Sequence, residues 1–477
     1  MTVKRTKTKR IIKSQTKENN SKETKNKENK SKENKSNTHT TIIDNKSNNP
    51  NIKEKCIYFD NNGTTLICSK AEKIMMKWLK CYNPSSDFTL ANGAKKLLKY
   101  AEEYIEDHCH TANKYTIIFT SGATESNCSI IRMIADAYYS NFFEKPHIVT
   151  SLMEHKSIIS CLQSLEKMGI VEVTYVIPTI HGVITPTSIK EAIKDNTCLV
   201  TIMYANNELG TINDIPAIAK ITHTTSNGKF KIPFHTDAVQ LFGKHRIKLL
   251  GENKNGDMDI DVLSMSFHKL YGPKGIGLLI IKKDLIAQDG FGLNALITGS
   301  QQYGLRGGTE NIPAIAGGIE ALKHTFKNRK EKNKHLLKLK KLMLDLLSKK
   351  YKFSDYRDYI DYPNDKDRDK IELVLLGPPN YEKKVLPNTI LLSIVKNKGK
   401  NFCNVKFKKK LNKNGIAISI GSACLTDDKK SSHVLDSINA PDIIKRGVIR
   451  ISFSDDNTES EVKRFVKVFN KLLKEEC

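Results

Sequence analysis

Cys-x-x-Cys pairs are missing from this chain of 477 residues, although it carries ten cysteines. That absence argues against a zinc ribbon and against a disulfide framework, and scattered thiols fit a reducing intracellular compartment. No apolar run approaches the roughly 20 residues that a membrane-spanning helix requires, so no membrane partner is expected. Acidic residues are also short: 52 Asp and Glu face 78 Lys and Arg, which leaves a formal charge of +26. The excess is uneven. Residues 1–55 hold 16 basic and 6 acidic residues, or +10, with next to no aromatic side chains, and the other 422 residues hold the remaining +16. A basic balance can draw polyanions, but a chain this rich in Lys and Asn also fits compositional drift, and nucleic acid is not the expected partner.

The first 54 residues repeat a Lys-Glu-Asn-Lys theme, as in Asn26-Lys27-Glu28-Asn29-Lys30 and Ser31-Lys32-Glu33-Asn34-Lys35. Such a segment cannot bury enough apolar surface to offset its ordering entropy, so a disordered tail is expected over 1–54. Transit peptides are Arg-rich and acid-poor with an apolar face. Here Lys dominates, Glu18, Glu23, Glu28 and Glu33 intrude, and a cytoplasmic location is expected ahead of a mitochondrial one.

From Cys56 to about residue 325, short apolar runs alternate with helical patterns. The runs are 116–119, 147–150, 171–177, 198–204, 232–236, 260–265 and 277–281. Strands of this length separated by helices predict an α/β domain around a mostly parallel seven-stranded sheet. Residues 319–350 read as one long amphipathic helix. A smaller α+β portion follows, with strands expected over 388–394 and 447–453 and a last helix over 459–474. The expected division is a large domain over 72–325 and a small domain formed by 55–71 and 326–477.

Ser264-Met265-Ser266-Phe267-His268-Lys269-Leu270-Tyr271-Gly272-Pro273-Lys274-Gly275 ends one of these runs on a lysine. A desolvated lysine at a strand end has a lowered pKa and suits an imine with a carbonyl cofactor; a lysine that snorkels to water fits the spacing equally well. Other strand ends decide between the two. They carry Thr120-Ser121-Gly122-Ala123-Thr124, Glu154-His155-Lys156, Asn206-Asn207-Glu208 and Asp237-Ala238-Val239-Gln240. Ligands of doubly wound sheets bind beyond the carboxyl ends of the strands. A lysine, a carboxylate, a planar ring, hydroxyls and a helix start together match what pyridoxal 5'-phosphate needs.

With Tyr58-Phe59-Asp60-Asn61-Asn62-Gly63-Thr64-Thr65, Leu305-Arg306-Gly307-Gly308-Thr309-Glu310-Asn311 and Gly421-Ser422-Ala423-Cys424 added, the chain resembles the cysteine desulfurases of the class V aminotransferase group, over about residues 56–470. The resemblance implies a pyridoxal-phosphate-dependent fold of type I and an enzyme that takes sulfur from L-cysteine, leaving L-alanine and a persulfide on Cys424. It also implies the roles. Lys269 carries the cofactor and moves the Cα proton, Asp237 pairs with the ring nitrogen, and His155 stacks on the ring. Asn207 and Gln240 touch the ring and its phenolic oxygen. Ala123, Thr124, Ser266 and His268 hold the phosphate, and Thr309 reaches the phosphate of the other subunit of a homodimer. Arg450, with Asn207, binds the substrate carboxylate. No metal is implied, and the sulfur acceptor is expected to be a protein such as an iron–sulfur scaffold or a tRNA-thiolation protein.

Two stretches depart from the family pattern, Asp87-Phe88-Thr89-Leu90 and Thr298-Gly299-Ser300-Gln301-Gln302-Tyr303. The alternatives are a selenocysteine lyase or another class V enzyme, in which Cys424 would be used differently, and a non-catalytic binding protein that keeps a degenerate fold and acts through its basic tail.

Overall fold

In the computed structural model the described residues are 56–225, 231–249, 258–286, 292–361, 371–378, 384–396, 402–420 and 432–476. The tail expected to be disordered, and Gly421-Ser422-Ala423-Cys424, lie outside them.

Among the described residues the strands are, in chain order, β1 (Ile57–Tyr58), β2 (Tyr115–Thr120), β3 (His147–Ser151), β4 (Glu172–Val176), β5 (Thr197–Thr201), β6 (Phe234–Asp237), β7 (Val262–Ser266), β8 (Gly277–Lys282), β9 (Lys352–Ser354), β10 (Glu372–Leu375), β11 (Thr389–Val395), β12 (Ile416–Ala417) and β13 (Val448–Ser452). The seven runs between residues 116 and 281 are the seven strands of one sheet, in the order β2-β8-β7-β6-β5-β3-β4. Only β8 runs against the others, pairing antiparallel with both β2 and β7. Both faces of this sheet are covered, which is why its strands read as unbroken apolar runs rather than alternating ones. Along β2, Tyr115, Ile117 and Phe119 enter one apolar cluster and Ile118 another. Along β8, Leu278 and Ile280 face the first cluster, while Leu279 and Ile281 face the second.

A four-stranded sheet, β13-β11-β10-β9, and a short parallel pair, β1-β12, make up the rest. Their apolar faces close on a separate cluster. It includes Phe59, Leu339, the β11 residues Ile390, Leu392 and Ile394, and Phe465 and Phe469 of the last helix, Glu459–Glu476.

One helix expected from the sequence is two. Ile312–Phe326 and Arg329–Ser348 are separated at Lys327 and Asn328, where Asn328 takes a left-handed conformation with φ 55°. Asn tolerates that region better than most residues, and the two helices bury their apolar residues in different clusters, Ile315, Ile319 and Leu322 in one and Leu336, Leu339 and Met343 in the other.

Two features place the site. The last residues of β2, β3, β5, β6 and β7 are Thr120, Ser151, Thr201, Asp237 and Ser266, so polar groups collect at the carboxyl edge of the sheet. Gly277, the first residue of β8, lies hard against the turn before the helix Ala123–Phe142: a Cβ there would stand 2.6 Å from the Gly122 Cα. Gln302, in one of the two divergent stretches, caps the outer strand by accepting the Phe119 N–H at 2.6 Å and donating to the Phe119 carbonyl at 3.0 Å.

Candidate active site

Lys269 ends a single 3-10 turn, Phe267–Lys269, that follows β7 directly. The loop 60–68 is laced onto this turn: Thr65 N–H donates to the His268 carbonyl at 2.9 Å, Tyr271 N–H to Thr65 Oγ1 at 2.7 Å, and Cys68 N–H to the Tyr271 carbonyl at 2.9 Å. The lysine amine donates to the Asn62 carbonyl at 2.6 Å and to the Gly63 carbonyl. Burial pulls its pKa down to about 8, and the Arg450 and Lys244 charges add to the effect against Asp60 and Asp237. The neighbouring His268 is pushed down to about 4, first by burial and then by Lys269 and Lys274, and so is neutral. Its Nδ1 lies 3.0 Å from Thr64 Oγ1.

Lys269 opens into a cavity of about 640 Å³. Lining it are Ala123, Thr124, His155, Asn207, Asp237, Gln240, Ser266, His268, Lys269 and Arg450, ten of the residues expected from the sequence. Thr309 does not line it and is exposed. Cys424 lies outside the described residues.

At one end the helix Ala123–Phe142 points its first turn into the cavity, where free N–H groups and the positive end of the helix dipole suit an anion. Glu125 in that turn is not free to compete. It accepts Ser121 N–H at 2.8 Å and Arg306 Nε–H at 2.9 Å. Burial opposes its ionisation, but those bonds outweigh burial and hold its carboxyl below the ordinary range.

At the other end Arg450, only 5 % exposed, donates to the Asn207 carbonyl at 2.9 Å and pairs with Asp60 at 2.6 Å. Its Nε has no partner, and neither does Gln240 Oε1, although both are buried. Gln240 Nε2 donates to the Asn62 carbonyl at 3.2 Å. Buried polar atoms without partners are costly, and here they fall on side chains that line a cavity, which fits a polar ligand with its own donors and acceptors.

Asp237, 5 % exposed, accepts Val239 N–H at 3.0 Å and Asn127 Nδ2–H at 2.9 Å. His155 caps the helix Lys156–Lys167 through Nδ1, which accepts Ser157 N–H at 3.2 Å. Burial holds His155 below the ordinary histidine range; Asp237 opposes this, while Lys269, His433 and Lys156 add to it. Behind it Glu154 is fully buried and accepts Ser151 Oγ–H at 2.7 Å and Met203 N–H at 2.9 Å. Burial raises its pKa to about 8, so it is mostly protonated at neutral pH.

Several of these groups were not singled out in the sequence: Asp60 beside Arg450, the carbonyls of Asn62 and Gly63, Asn127, and Glu154. All stand inside or next to motifs that the sequence offered, but most of their partners lie on other elements, from 30 residues away for Asn127 and Ser157 to 390 for Asp60 and Arg450. The flanks of residues 421–431 are also tied to the cavity walls. Ser419 and Arg450 exchange backbone hydrogen bonds of 3.1 and 2.7 Å. Ser432 Oγ donates to Glu208 at 2.7 Å, and His433 Nε2 donates to the Glu154 carbonyl at 2.8 Å.

Residues 57–371 match the family model of class V aminotransferases. A cysteine desulfurase IscS of Clostridium botulinum is 33 % identical over 423 residues, covering 88 % of this chain and 95 % of that protein. A solved NifS-like protein superposes with a TM-score of 0.71 at 28 % identity, covering 88 % of this chain and 99 % of the other. SspA, solved in complex with cysteine, gives a TM-score of 0.62 at 30 % identity over 84 % of this chain and all of that one.

Proposed function

The chain belongs to the class V aminotransferases, in the cysteine desulfurase family, and from that premise we propose that it moves the sulfur of L-cysteine onto Cys424 from the cavity beside Lys269. Family membership implies pyridoxal phosphate, and the donor set fits it: an amine, a buried carboxylate, a planar imidazole and a helix start all face one space. When bound, the cofactor supplies a protonated ring that withdraws electrons from the substrate Cα.

The protein's own residues divide the remaining work. Lys269, with a pKa of about 8, has about a tenth of its amine unprotonated at pH 7, on the order of 200-fold more than an ordinary lysine. That amine is the attachment point and the carrier of the Cα proton. Asp237 holds the ring nitrogen in its protonated form. Ala123 N–H, Thr124, Ser266 and the neutral His268 take the phosphate. Arg450 receives the substrate carboxylate with the Nε–H that the protein leaves unpaired, and Asn207, whose carbonyl holds the same guanidinium, helps to aim it.

In the transfer, the Cys424 thiolate attacks the substrate sulfur, an S–S bond forms, and the C–S bond breaks. The released electron pair stays on the substrate Cβ, which takes a proton and leaves as the methyl group of alanine. His155 is placed to pass protons on the cavity side. Support for Cys424 acting here comes from its flanks, Ser419 and Ser432, which are bonded to Arg450 and Glu208. Thr309 is exposed outside the cavity, as suits a residue that serves a second copy.

The observation that carries the reading is the meeting of nine other expected residues with the Lys269 amine around one cavity. Its test is to load the purified protein with pyridoxal phosphate, record the visible band near about 420 nm, add L-cysteine and measure sulfide and alanine. Lys269→Ala is expected to lose the band and all turnover, whereas Cys424→Ala keeps the band and loses turnover. Unchanged cysteine turnover in Cys424→Ala would overturn the persulfide step.

A further inference from the structure

Asn127 does not touch the cavity. It lies in the helix Ala123–Phe142 with no exposed surface, behind the two groups that face opposite parts of the site. Its Nδ2 is 2.9 Å from Asp237 Oδ2 and 3.0 Å from Ser157 Oγ. Ser157 Oγ is in turn 2.8 Å from His155 Nδ1. One amide therefore connects the carboxylate and the imidazole through a single hydroxyl.

Donor and acceptor chemistry fixes the direction of every bond in this chain. An ionised carboxylate only accepts, so the amide must turn its NH2 towards Asp237; the reverse would set two acceptor oxygens 2.9 Å apart. The second amide hydrogen goes to Ser157 Oγ, which then accepts. The hydrogen of Ser157 is left to point at His155 Nδ1, where the Ser157 backbone N–H also arrives, at 3.2 Å. A ring nitrogen that accepts two donors carries no hydrogen, so neutral His155 keeps its proton on Nε2. The arrangement has a cost, because Asn127 Oδ1 is buried without a partner. An apolar side chain of the same size would avoid that cost, so packing alone does not account for asparagine here.

We propose that Asn127 is a positioning residue for the desulfurase reaction, holding Asp237 ionised and His155 in its Nε2–H form through one amide group. Asp237 must be charged to keep a proton on the ring nitrogen, and His155 must present its hydrogen away from Ser157. The amide meets the first by donating to Asp237, and supports the second by turning the Ser157 hydroxyl towards Nδ1, beside the Ser157 backbone N–H. The inference rests on the proposed function.

The test uses the full chain, labelled with nitrogen-15 histidine, before and after loading with pyridoxal phosphate. Nitrogen shifts report the tautomer, and a His155→Gln spectrum assigns the signal. Asn127→Asp is nearly isosteric but reverses the chain. Its carboxylate must share a proton with Asp237, and it accepts the Ser157 hydrogen, so Ser157 Oγ becomes an acceptor for His155. The expected result is a shift of His155 towards the Nδ1–H tautomer, and kcat lower by about 10- to 100-fold with KM within about threefold, as for other residues that orient a reactive group. Ser157→Ala removes the hydroxyl but keeps the backbone N–H on Nδ1, so it should leave His155 in its Nε2–H form and the pH dependence of the visible band unchanged. The signals of buried His147 and His235, elsewhere in the same sheet, report that the variants are folded. Asn127→Asp with an unchanged His155 tautomer and unchanged kcat overturns the proposal. Wild-type protein that shows the Nε2–H form but takes up no cofactor overturns the proposed function instead, so the two failures are distinct.

Discussion

Strand β6 has a polar cluster at each end, built from the same residue types with opposite results. At its carboxyl end, Asp237 and His155 are kept apart by Asn127 and Ser157, and His155 stays below the ordinary histidine range. At its amino end, Phe234 N–H donates to Asp261 at 2.8 Å, and His223 touches two carboxylates directly. The His223 ring nitrogens lie 2.6 Å from Asp259 and 2.7 Å from Asp261. Carboxylates only accept, so both nitrogens donate and the ring is an imidazolium. Burial opposes that charge, but the two bonds outweigh burial and raise its pKa. The difference lies in what is left over. Gln240 and Arg450, which line the cavity at the carboxyl end, each keep a buried atom without a partner, whereas no atom of His223, Asp259 or Asp261 does, among the described residues. One edge of the sheet holds capacity in reserve for a ligand; the other uses it to hold the fold. Three potential metal ligands do stand within 4.8 Å of each other at the amino end. Lys231 and Lys282, however, reach Asp259 at 3.5 and 3.2 Å, and Lys282 reaches Asp261 at 3.7 Å, so positive charge is already supplied.

The largest expected effect comes from removing the imidazolium. His223→Ala leaves Asp261, whose side chain is 7 % exposed, without its charged partner. Losing one member of a buried pair typically costs about 3–5 kcal/mol. Lys282 lies 3.7 Å from Asp261 and softens the loss, so about 3 kcal/mol is expected from urea unfolding. Cysteine turnover of the folded fraction should be unchanged. A comparable fall in kcat would break the contrast between the two edges.

What could be read in the sequence follows the same division. The seven strands were legible because a sheet buried on both faces writes itself as short unbroken apolar runs. The carboxyl-edge residues were legible because Asp237, His155 and Lys269 each sit in a local motif at a strand end, where chemistry and position coincide. The amino-edge cluster was not. His223 stands near the end of a helix, Ile215–Thr224, and meets Asp259 and Asp261, just before β7, only when that helix packs against β6. Asp60 was missed as Arg450's partner for the same reason: 390 residues separate them, and neither spacing nor composition encodes the contact. The break between the helices ending at Phe326 and starting at Arg329 was missed because each keeps apolar residues at helical spacing, and only the fold shows that the two stripes face different clusters.

A middle-sized effect concerns pH. The folded pKa of His223 is raised above its unfolded value of about 6.5. Its contribution to stability is therefore full below about pH 6.5 and is lost as pH rises through the folded value. The stability difference between wild type and His223→Ala should shrink steadily across that window, read from urea midpoints at several pH values. At the other edge, His155 has a depressed pKa, so its contribution has the opposite sign and costs stability as pH falls below about 6.5. A difference that grows with pH would mean that His223 is neutral in the folded protein.

The smallest effects separate the two carboxylates that hold His223. Asp261 is buried and uses one oxygen, Oδ2, for both His223 and the Phe234 N–H, which joins the helix to the start of β6. Asp259 has a side chain 40 % exposed and shares its charge with Lys231 and Lys282. Solvent and two further cations blunt what it gives, so Asp259→Asn should cost no more than about 1 kcal/mol. Asp261→Asn should cost about 2 kcal/mol, as expected when a buried hydrogen bond loses the charge on its acceptor. Asparagine is the informative replacement at 259, because the backbone there is left-handed, with φ 43°, and asparagine tolerates that region as aspartate does. Alanine would mix backbone strain with loss of charge. The ordering of the two asparagine variants is the measurement: equal losses would show that the cluster shares its charge regardless of burial, and that the amino edge is no more committed to structure than the carboxyl edge.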